Sequence, residues 1–209
     1  NVNQVTNMNQ MFRAVTAFDK SIGGWNVESV TDMNQMFLGA TSFNKDIGNW
    51  NVEAVTNMSQ MFSGATAFNQ DIGSWNVKSV TNVSQMFNQA TAFNQDIGSW
   101  NVEAITNMSQ MFSGATVFNQ NLNDWNVTNV TDNTNWQTNS GFANYNLYWP
   151  PFGTLEISDK NHLINSIDCQ LSINLLFLEI FPDLLLVFAK LSLVNLHRQV
   201  LLLFEPLDG

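Results

Sequence analysis

The sequence has little of the chemistry that enzymes and metal sites use. Cysteine occurs once, as Cys169, so neither an intrachain disulfide nor a cysteine metal cluster can form. Histidine occurs twice, as His162 and His197, and residues 1–149 contain neither residue type. General acid–base catalysis there would depend on carboxylates in repeated, equivalent surroundings, with nothing to separate their pKa values. We therefore expect a non-enzymatic protein without a cofactor.

Charge is also scarce. Only 11% of the residues are charged, with 7 basic and 17 acidic side chains, which gives a net charge of −10. Because no basic cluster is present to neutralise phosphates, we expect neither a nucleic-acid partner nor docking on an anionic membrane surface. The chain starts at Asn1 without the pattern of a signal peptide, and we interpret it as a processed or truncated piece of a longer protein.

A strict repeat dominates the sequence instead. The ten residues FNQDIGSWNV occur at 68–77 and again, letter for letter, at 93–102. Two aromatic columns keep the same spacing without a slip; they comprise Trp25, Trp50, Trp75, Trp100 and Trp125, and Phe18, Phe43, Phe68, Phe93 and Phe118. Such a period predicts a solenoid of stacked units, in which both columns form structural ladders in the core.

Each unit combines a helical pattern with an extended one. In VTNMSQMFSGA, residues 55–65, the apolar residues have the spacing of one helix face: Met58, Met61, Phe62 and Ala65. Asn57 and Gln60 have the spacing of a capping pair. The segment TAFNQDIGSWNV, residues 66–77, is rich in β-formers and predicts an extended stretch with a bend and a positive φ at Gly73. We therefore expect an α/β repeat solenoid, with one short parallel strand and one short helix in each 25-residue repeat.

The repeat resembles that of BspA-like leucine-rich-repeat surface proteins. The stretch VTNMSQMFSGATAFNQDIGSWNV, residues 55–77, is similar to their pattern MFxGAxxFNxDIxxWNVxxVTNM, and the resemblance covers about residues 1–131. Phe, Ile, Trp, Val and Met take the places of Leu, which is rare in this part of the chain. The resemblance implies a leucine-rich-repeat-like right-handed coil, an extracellular or cell-surface location, and a role in adhesion. It implies no catalytic residues.

The repeat predicts three parts of the chain. Residues 1–131 form a five-coil solenoid, residues 132–149 a degenerate sixth repeat or cap, and residues 150–209 an apolar, leucine-rich C-terminal segment. The last segment has three open interpretations. It is a helical region that packs on the end of the solenoid, a segment that contacts or spans a membrane, or a sequence that a frameshift or an unspliced intron has produced.

Positions that differ between coils are the candidates for a partner-facing surface. We name three columns by their first members and expect them to be exposed to a protein or glycan ligand. The Arg13 column contains Arg13, Leu38, Ser63, Asn88 and Ser113; the Glu28 column contains Glu28, Glu53, Lys78, Glu103 and Thr128; the Lys20 column contains Lys20, Lys45, Gln70, Gln95 and Gln120.

Two further kinds of ladder are polar. Asp46, Asp71 and Asp96 stack one carboxylate per coil, and we expect them to be solvated or to cap turns, with a calcium ladder as the alternative. Asparagine recurs in two columns, which we expect to stack as buried side chains that satisfy one another and the turn backbone. These columns comprise Asn44, Asn69, Asn94 and Asn119, and Asn26, Asn51, Asn76, Asn101 and Asn126.

Three hypotheses of function remain. The first is a non-enzymatic surface or secreted protein that mediates adhesion by binding a protein or glycan through the solenoid surface. The second is a structural spacer or self-assembling element, in which end-to-end self-association extends the stack. The third is a calcium-stabilised repeat array.

Overall fold

The computed structural model describes residues 2–144 together with Pro150 and Phe152. The chain divides into two compact units, residues 1–154 and 155–209, and the second lies outside the described residues. The interpretations of segment 150–209 and the predicted domain boundaries therefore stay predictions. In the part of the chain that is described, no helix has the length and apolar character needed to cross a membrane.

Tight turns, rather than helices and strands, build the coils. In the described residues, the one regular element is a short 3-10 helix, Gly141–Asn144. Neighbouring coils pair through isolated parallel bridges, which join Asn7 to Asp32, Asp32 to Asn57, Asn57 to Asn82, Asn82 to Asn107, and Asn107 to Asp132. The predicted α/β solenoid, with a strand and a helix in each leucine-rich-repeat-like coil, is therefore wrong. The units do stack with the period of the sequence repeat.

A row of turns stands where the helix was predicted. In the second coil, the N–H of Met36 donates to the carbonyl of Met33 at 3.2 Å, and the N–H of Ala40 to Phe37 at 3.0 Å. Other N–H groups leave the coil, as that of Met33 does for the carbonyl of Asn57 at 3.0 Å. An α-helix would direct every N–H to the carbonyl four residues earlier. Met33, Met36, Phe37 and Ala40 are nonetheless all buried, so their spacing could not distinguish turns from a helix.

Two residues with left-handed backbone in each coil prevent a helix. Gln35 has a φ of 56° and Gly39 a φ of 68°, and each is the third residue of a turn, where a type II turn requires positive φ. The same two positions are left-handed in every coil: Gln10 and Ala14, Gln60 and Gly64, Gln85 and Gln89, Gln110 and Gly114, and Asn135 and Asn139. The sixth coil therefore keeps this backbone although its letters change.

Glutamine at the first left-handed position bonds through its carboxamide to the glutamine of the next coil, in the second to fourth coils. A non-glycine residue there costs about 1–2 kcal/mol. The carboxamides form a ladder that offsets the cost, because Gln35 Nε2 donates to Gln60 Oε1 and Gln60 Nε2 donates to Gln85 Oε1 at 3.2 Å. Interpreting Gln60 as the partner of a helix cap was wrong, since no helix follows.

The parallel pairing also lies elsewhere than predicted. It is at Asn57 and its counterparts, whereas a strand was predicted within residues 66–77, where the described backbone has turns and no bridge. Asn57 Oδ1 accepts the N–H of Ser59 at 3.1 Å, which closes an Asx turn. The side-chain-to-backbone bond expected of a capping residue is thus present, but it begins a series of turns.

The aromatic columns fill the interior of the stack. Phe43, Phe68, Phe93 and Phe118 are fully buried, and Trp50, Trp75, Trp100 and Trp125 are almost so; Phe18 and Trp25 of the first coil are partly buried. Rings of neighbouring coils lie parallel, with 5.5 Å between the centroids of Phe37 and Phe62 and 6.5 Å between those of Trp50 and Trp75. Each coil therefore completes the burial of its neighbour.

The tryptophans also bond the coils together. The indole N–H of Trp75 donates to the carbonyl of Ile47, one coil earlier, at 3.2 Å. The same bond recurs from Trp50 to Ile22, from Trp100 to Ile72 and from Trp125 to Ile97. A buried indole N–H requires an acceptor, and this one fixes the register between neighbouring coils.

Glycine at 23, 48, 73 and 98 is explained by close approach between coils. A Cβ on Gly73 would lie 2.5 Å from the carbonyl oxygen of Asp96 in the next coil, and Gly48 meets Asp71 in the same way at 2.7 Å. The prediction of a positive φ at Gly73 was wrong, because the left-handed glycines are Gly39, Gly64 and Gly114.

We expect Gly73→Ala to destabilise the protein by about 1–3 kcal/mol, because the added methyl group must push two coils apart. Gly24→Ala is the matched control, since a Cβ at Gly24 meets no atom within 4 Å. The control is expected to be neutral or to stabilise by about 0.4–1 kcal/mol. Urea unfolding of the full chain measures both, and equal effects would contradict the close-approach explanation.

Trp75→Phe is expected to destabilise the chain by at least about 1 kcal/mol, the net value of the lost hydrogen bond to Ile47, before the cavity is counted. Trp25→Phe serves as the control, because within the described residues the indole N–H of Trp25 has no such acceptor. Thermal unfolding compares the two variants. If Trp25→Phe lowered the thermal stability as much as Trp75→Phe does, the indole hydrogen bond would contribute nothing.

Candidate functional site

The Glu28 column lies at exposed turn tips. Glu28, Glu53, Lys78 and Glu103 are all exposed, and the main-chain N–H of each donates to the asparagine Oδ1 two residues earlier, at 3.1–3.4 Å. The backbone of the column is thus held while its side chains project from the stack. An ion pair joins Lys78 Nζ to Glu53 Oε1 across neighbouring coils.

The asparagines beneath this column do not form the buried ladder that was predicted. Asn26, Asn51, Asn76, Asn101 and Asn126 are exposed, and their Oδ1 atoms accept bonds within their own coils. Each therefore closes an Asx turn.

The other asparagine column does connect the coils. Asn44 Oδ1 accepts the N–H of Asn69 at 2.9 Å. Asn69 Oδ1 accepts the N–H of Asn94, and Asn94 Oδ1 accepts the N–H of Asn119, at the same distance. The first member of this ladder is Asp19, whose Oδ1 accepts the N–H of Asn44 at 3.2 Å.

The Lys20 column takes part in the same connection. Lys45 Nζ lies 2.7 Å from Asp19 Oδ2, and at the next joint Gln70 Nε2 donates to Asn44 Oδ1 at 2.8 Å. Gln95 and Gln120 repeat the amide version with Asn69 and Asn94. An ion pair at one joint thus replaces an amide pair at the others, while Lys20 itself is exposed. Lys45 and Gln70 differ in residue type, but each bonds to the neighbouring coil.

The Arg13 column is only partly at the surface. Arg13 is exposed, and its guanidinium donates to Gln10 Oε1 at 3.2 Å. Leu38 and Asn88 are half-buried, and Ser63 in the same column is buried. This column therefore offers a partner little continuous surface.

The aspartates of the proposed calcium ladder are used in turns. Asp46 Oδ1 accepts the N–H of Gly48 at 2.8 Å, and Asp71 and Asp96 do the same for Gly73 and Gly98 at 2.9 Å. In the described part of the chain, no group of three or more His, Cys, Asp or Glu residues is placed to hold a metal ion. Each aspartate thus has a turn-capping role, and their side chains are exposed.

The surface of the stack is acidic. Residues 2–144 hold ten carboxylates and four basic side chains, and two of the four bases, Lys45 and Lys78, are paired with Asp19 and Glu53. The Glu28 column adds one charged residue per coil to this surface over four coils. A partner with basic groups would therefore meet a complementary potential.

Comparison with known proteins gives one family. The model of the family described as "Mycoplasma protein of unknown function, DUF285" matches residues 1–82 and again residues 47–149. Two overlapping matches agree with a tandem repeat. Neither the curated proteins nor the solved structures provide a match.

We expect the Asp19–Lys45 pair to make stability depend on pH. The Lys45 ammonium, and then the N–H of Asn44, lower the pKa of Asp19 below its usual value. A carboxylate whose pKa is lower in the folded state stabilises the fold above its unfolded pKa, about 3.9, and loses that contribution as the pH falls through the folded value.

The double variant Asp19→Asn/Lys45→Gln installs the amide pair that the next joint uses. At pH 7, the free energy of unfolding of the variant should differ little from that of the natural chain. The reason is that the side chains of Lys45 and Asp19 are 40% and 39% exposed. Below about pH 4, the natural chain should lose the stabilisation that the Asp19 carboxylate contributes, and the variant should therefore gain in stability relative to the natural chain, compared with pH 7. The N–H of Thr134 lowers the pKa of Asp132. Because Asp132 is present in both chains, its contribution to the pH dependence of stability cancels in the comparison. Urea unfolding from pH 7 to pH 3 measures this, and parallel curves would contradict it.

Proposed function

Because the chain belongs to the repeat family described as Mycoplasma protein of unknown function, DUF285, and presents its variable charges on a stack of coils, we propose that it is a non-enzymatic binding protein. The Glu28 column is its proposed contact surface. The resemblance of the repeat to BspA-like surface proteins supports an adhesive role and an extracellular or cell-surface location.

The observation that carries this proposal is the exposure of the Glu28 column. Of the three variable columns, it alone has every named member at the surface. The same Asx turn recurs beneath it in each coil, so its side chains form a row with one residue per coil. Changing a charge in this row leaves the interior bonds intact, so these positions can differ from coil to coil without loss to the stack.

The chemistry of the row favours a basic protein over an acidic glycan. Glu28, Glu53 and Glu103 are carboxylates, and the single base, Lys78, is already paired with Glu53. Lysine or arginine side chains on an extended partner segment could bind successive carboxylates. Each exposed pair would contribute little, and affinity would come from several pairs together.

The structural spacer is the second candidate, and the interior bonds favour it. Each joint between the first five coils combines parallel aromatic rings, an indole-to-carbonyl bond and several main-chain bonds. Such a stack would hold its length even without a partner. The spacer hypothesis does not require the Glu28 column to contact anything.

The triple variant Glu28→Gln/Glu53→Gln/Glu103→Gln tests the proposed surface. The full chain is passed over immobilised matrix proteins and glycans, with binding followed by interferometry. We expect saturable binding to a basic matrix protein, and at least a tenfold loss in the variant, equivalent to about 1.4 kcal/mol.

The matched control is Asp46→Asn/Asp71→Asn/Asp96→Asn, which removes the same charge from another exposed column and keeps an oxygen for each Asx turn. This control is expected to bind like the natural chain. Equal losses in both variants would mean that net charge alone attracts the partner. Absence of binding, together with oligomers that grow with concentration, would support the spacer.

A further inference from the structure

Five asparagines of the chain begin the acceptor sequence for N-linked glycans, in which any residue except proline follows and then serine or threonine. They are Asn57, Asn82, Asn107, Asn126 and Asn129. The sequence pattern treats all five alike. The structure separates them, because their amide groups have different surroundings.

Asn126 lies at an exposed Asx turn and does not use its amide nitrogen. Its Oδ1 accepts the main-chain N–H of Thr128 at 3.3 Å and the hydroxyl of Thr128 at 2.8 Å. Asn126 and Thr128 are both exposed, as is Asp124 before them. Among the described residues, Asn126 Nδ2 donates to no acceptor. The turn therefore holds this amide by its oxygen and leaves its nitrogen available for a sugar.

Three of the other asparagines lie at the joints between coils. Asn57, Asn82 and Asn107 are half-buried, and each forms a parallel bridge with its counterpart in the coil before and the coil after. The serine two residues later is half-buried in two of these cases, and Ser59 is buried. A glycan on any of the three would compete for space with the equivalent side chains of both neighbouring coils.

Asn129 is exposed, but its amide nitrogen is already engaged. Asn129 Nδ2 donates to the carbonyl of Glu103 in the preceding coil at 2.8 Å. The hydroxyl of Thr131, two residues later, donates to the carbonyl of Thr106 at 3.1 Å. A sugar on Asn129 would therefore disturb a bond between two coils.

The remaining asparagines of the Asn126 column have the turn but lack the hydroxyl. Asn26, Asn51, Asn76 and Asn101 are exposed, and the Oδ1 of each accepts the N–H of the residue two positions later. That residue is a member of the Glu28 column and carries a charge, whereas the fifth member is Thr128. The fifth coil therefore combines the exposed turn with the complete acceptor sequence.

We propose that Asn126 is an attachment site for an N-linked glycan, which an oligosaccharyltransferase adds from an oligosaccharide carried on a lipid diphosphate. Asn126 Nδ2 forms a bond to the anomeric carbon of the first sugar while the bond from that carbon to the diphosphate breaks. Nδ2 gives up one of its two protons, and the lipid diphosphate leaves. The inference rests on the extracellular or cell-surface location proposed above, because such transferases modify exported chains. The glycan marks the end of the Glu28 column at Thr128.

The test maps glycans on the exported chain. The full chain is expressed behind an export leader in a host that has an oligosaccharyltransferase, and the glycans of the secreted protein are removed enzymatically in heavy-oxygen water. This treatment converts each occupied asparagine to a labelled aspartate, which peptide mass spectrometry locates. We expect the label at Asn126 and not at the other four asparagines. The melting temperature should be the same before and after the glycan is removed.

Matched variants test the combination of turn and hydroxyl. Thr128→Ala should abolish the glycan although Asn126 is still present, and Thr128→Ser should retain it. Glu103→Thr completes the acceptor sequence at the exposed turn of Asn101 and should add a second glycan, whereas Glu103→Gln should not.

An unmodified Asn126 in the secreted natural chain would overturn the proposal, and so would equal occupancy of Asn57 in a chain with the natural melting temperature. Because the added leader supplies the export, either result counts against the glycan site alone. The Glu28 column as a contact surface is tested separately by the binding of its triple variant.

Discussion

Main-chain hydrogen bonds between neighbouring coils are the constraint on which the rest of the structure depends. Alternate N–H groups in the turn row, such as those of Met33 and Phe37, donate to carbonyls of the next coil, and the groups between them close turns within their own coil. No coil can satisfy its own backbone under this arrangement. Buried or half-buried polar groups without partners are costly, so the coils must stack in one register.

This constraint decides which side chains serve the stack and which are left for a partner. Coils held this closely leave no space for a Cβ at Gly73, and they place the indole of Trp75 within reach of Ile47. The Asn44 ladder and the pairs it makes with Gln70 lie at the same joints. The tips of the Asx turns, as at Glu53, are the positions where a residue can vary without breaking a joint.

The sequence predicted the period, the stacking and the aromatic content, but it assigned the wrong secondary structure. The i, i+3, i+4, i+7 spacing from Met58 to Ala65 fits a chain of β-turns as well as a helix, because both return a side chain to the same side every three or four residues. Gln60 favoured the helix prediction because glutamine is a good helix former. In the structure its φ is 57°, which no α-helix allows. The sequence predicts Lys45 to be a variable surface residue, yet it bonds to Asp19 in the neighbouring coil, a pair that only the coil geometry identifies.

By itself, the sequence determined that similar units repeat at a fixed period and that aromatic side chains form their interior, because composition and spacing are properties of the chain alone. It also limited the chemistry of residues 1–149, which hold no histidine or cysteine. Only the tertiary structure decided how each unit folds and which of its polar side chains are already engaged. Those outcomes depend on donors and acceptors that belong to different coils, and local propensity carries no information about a partner a full repeat away.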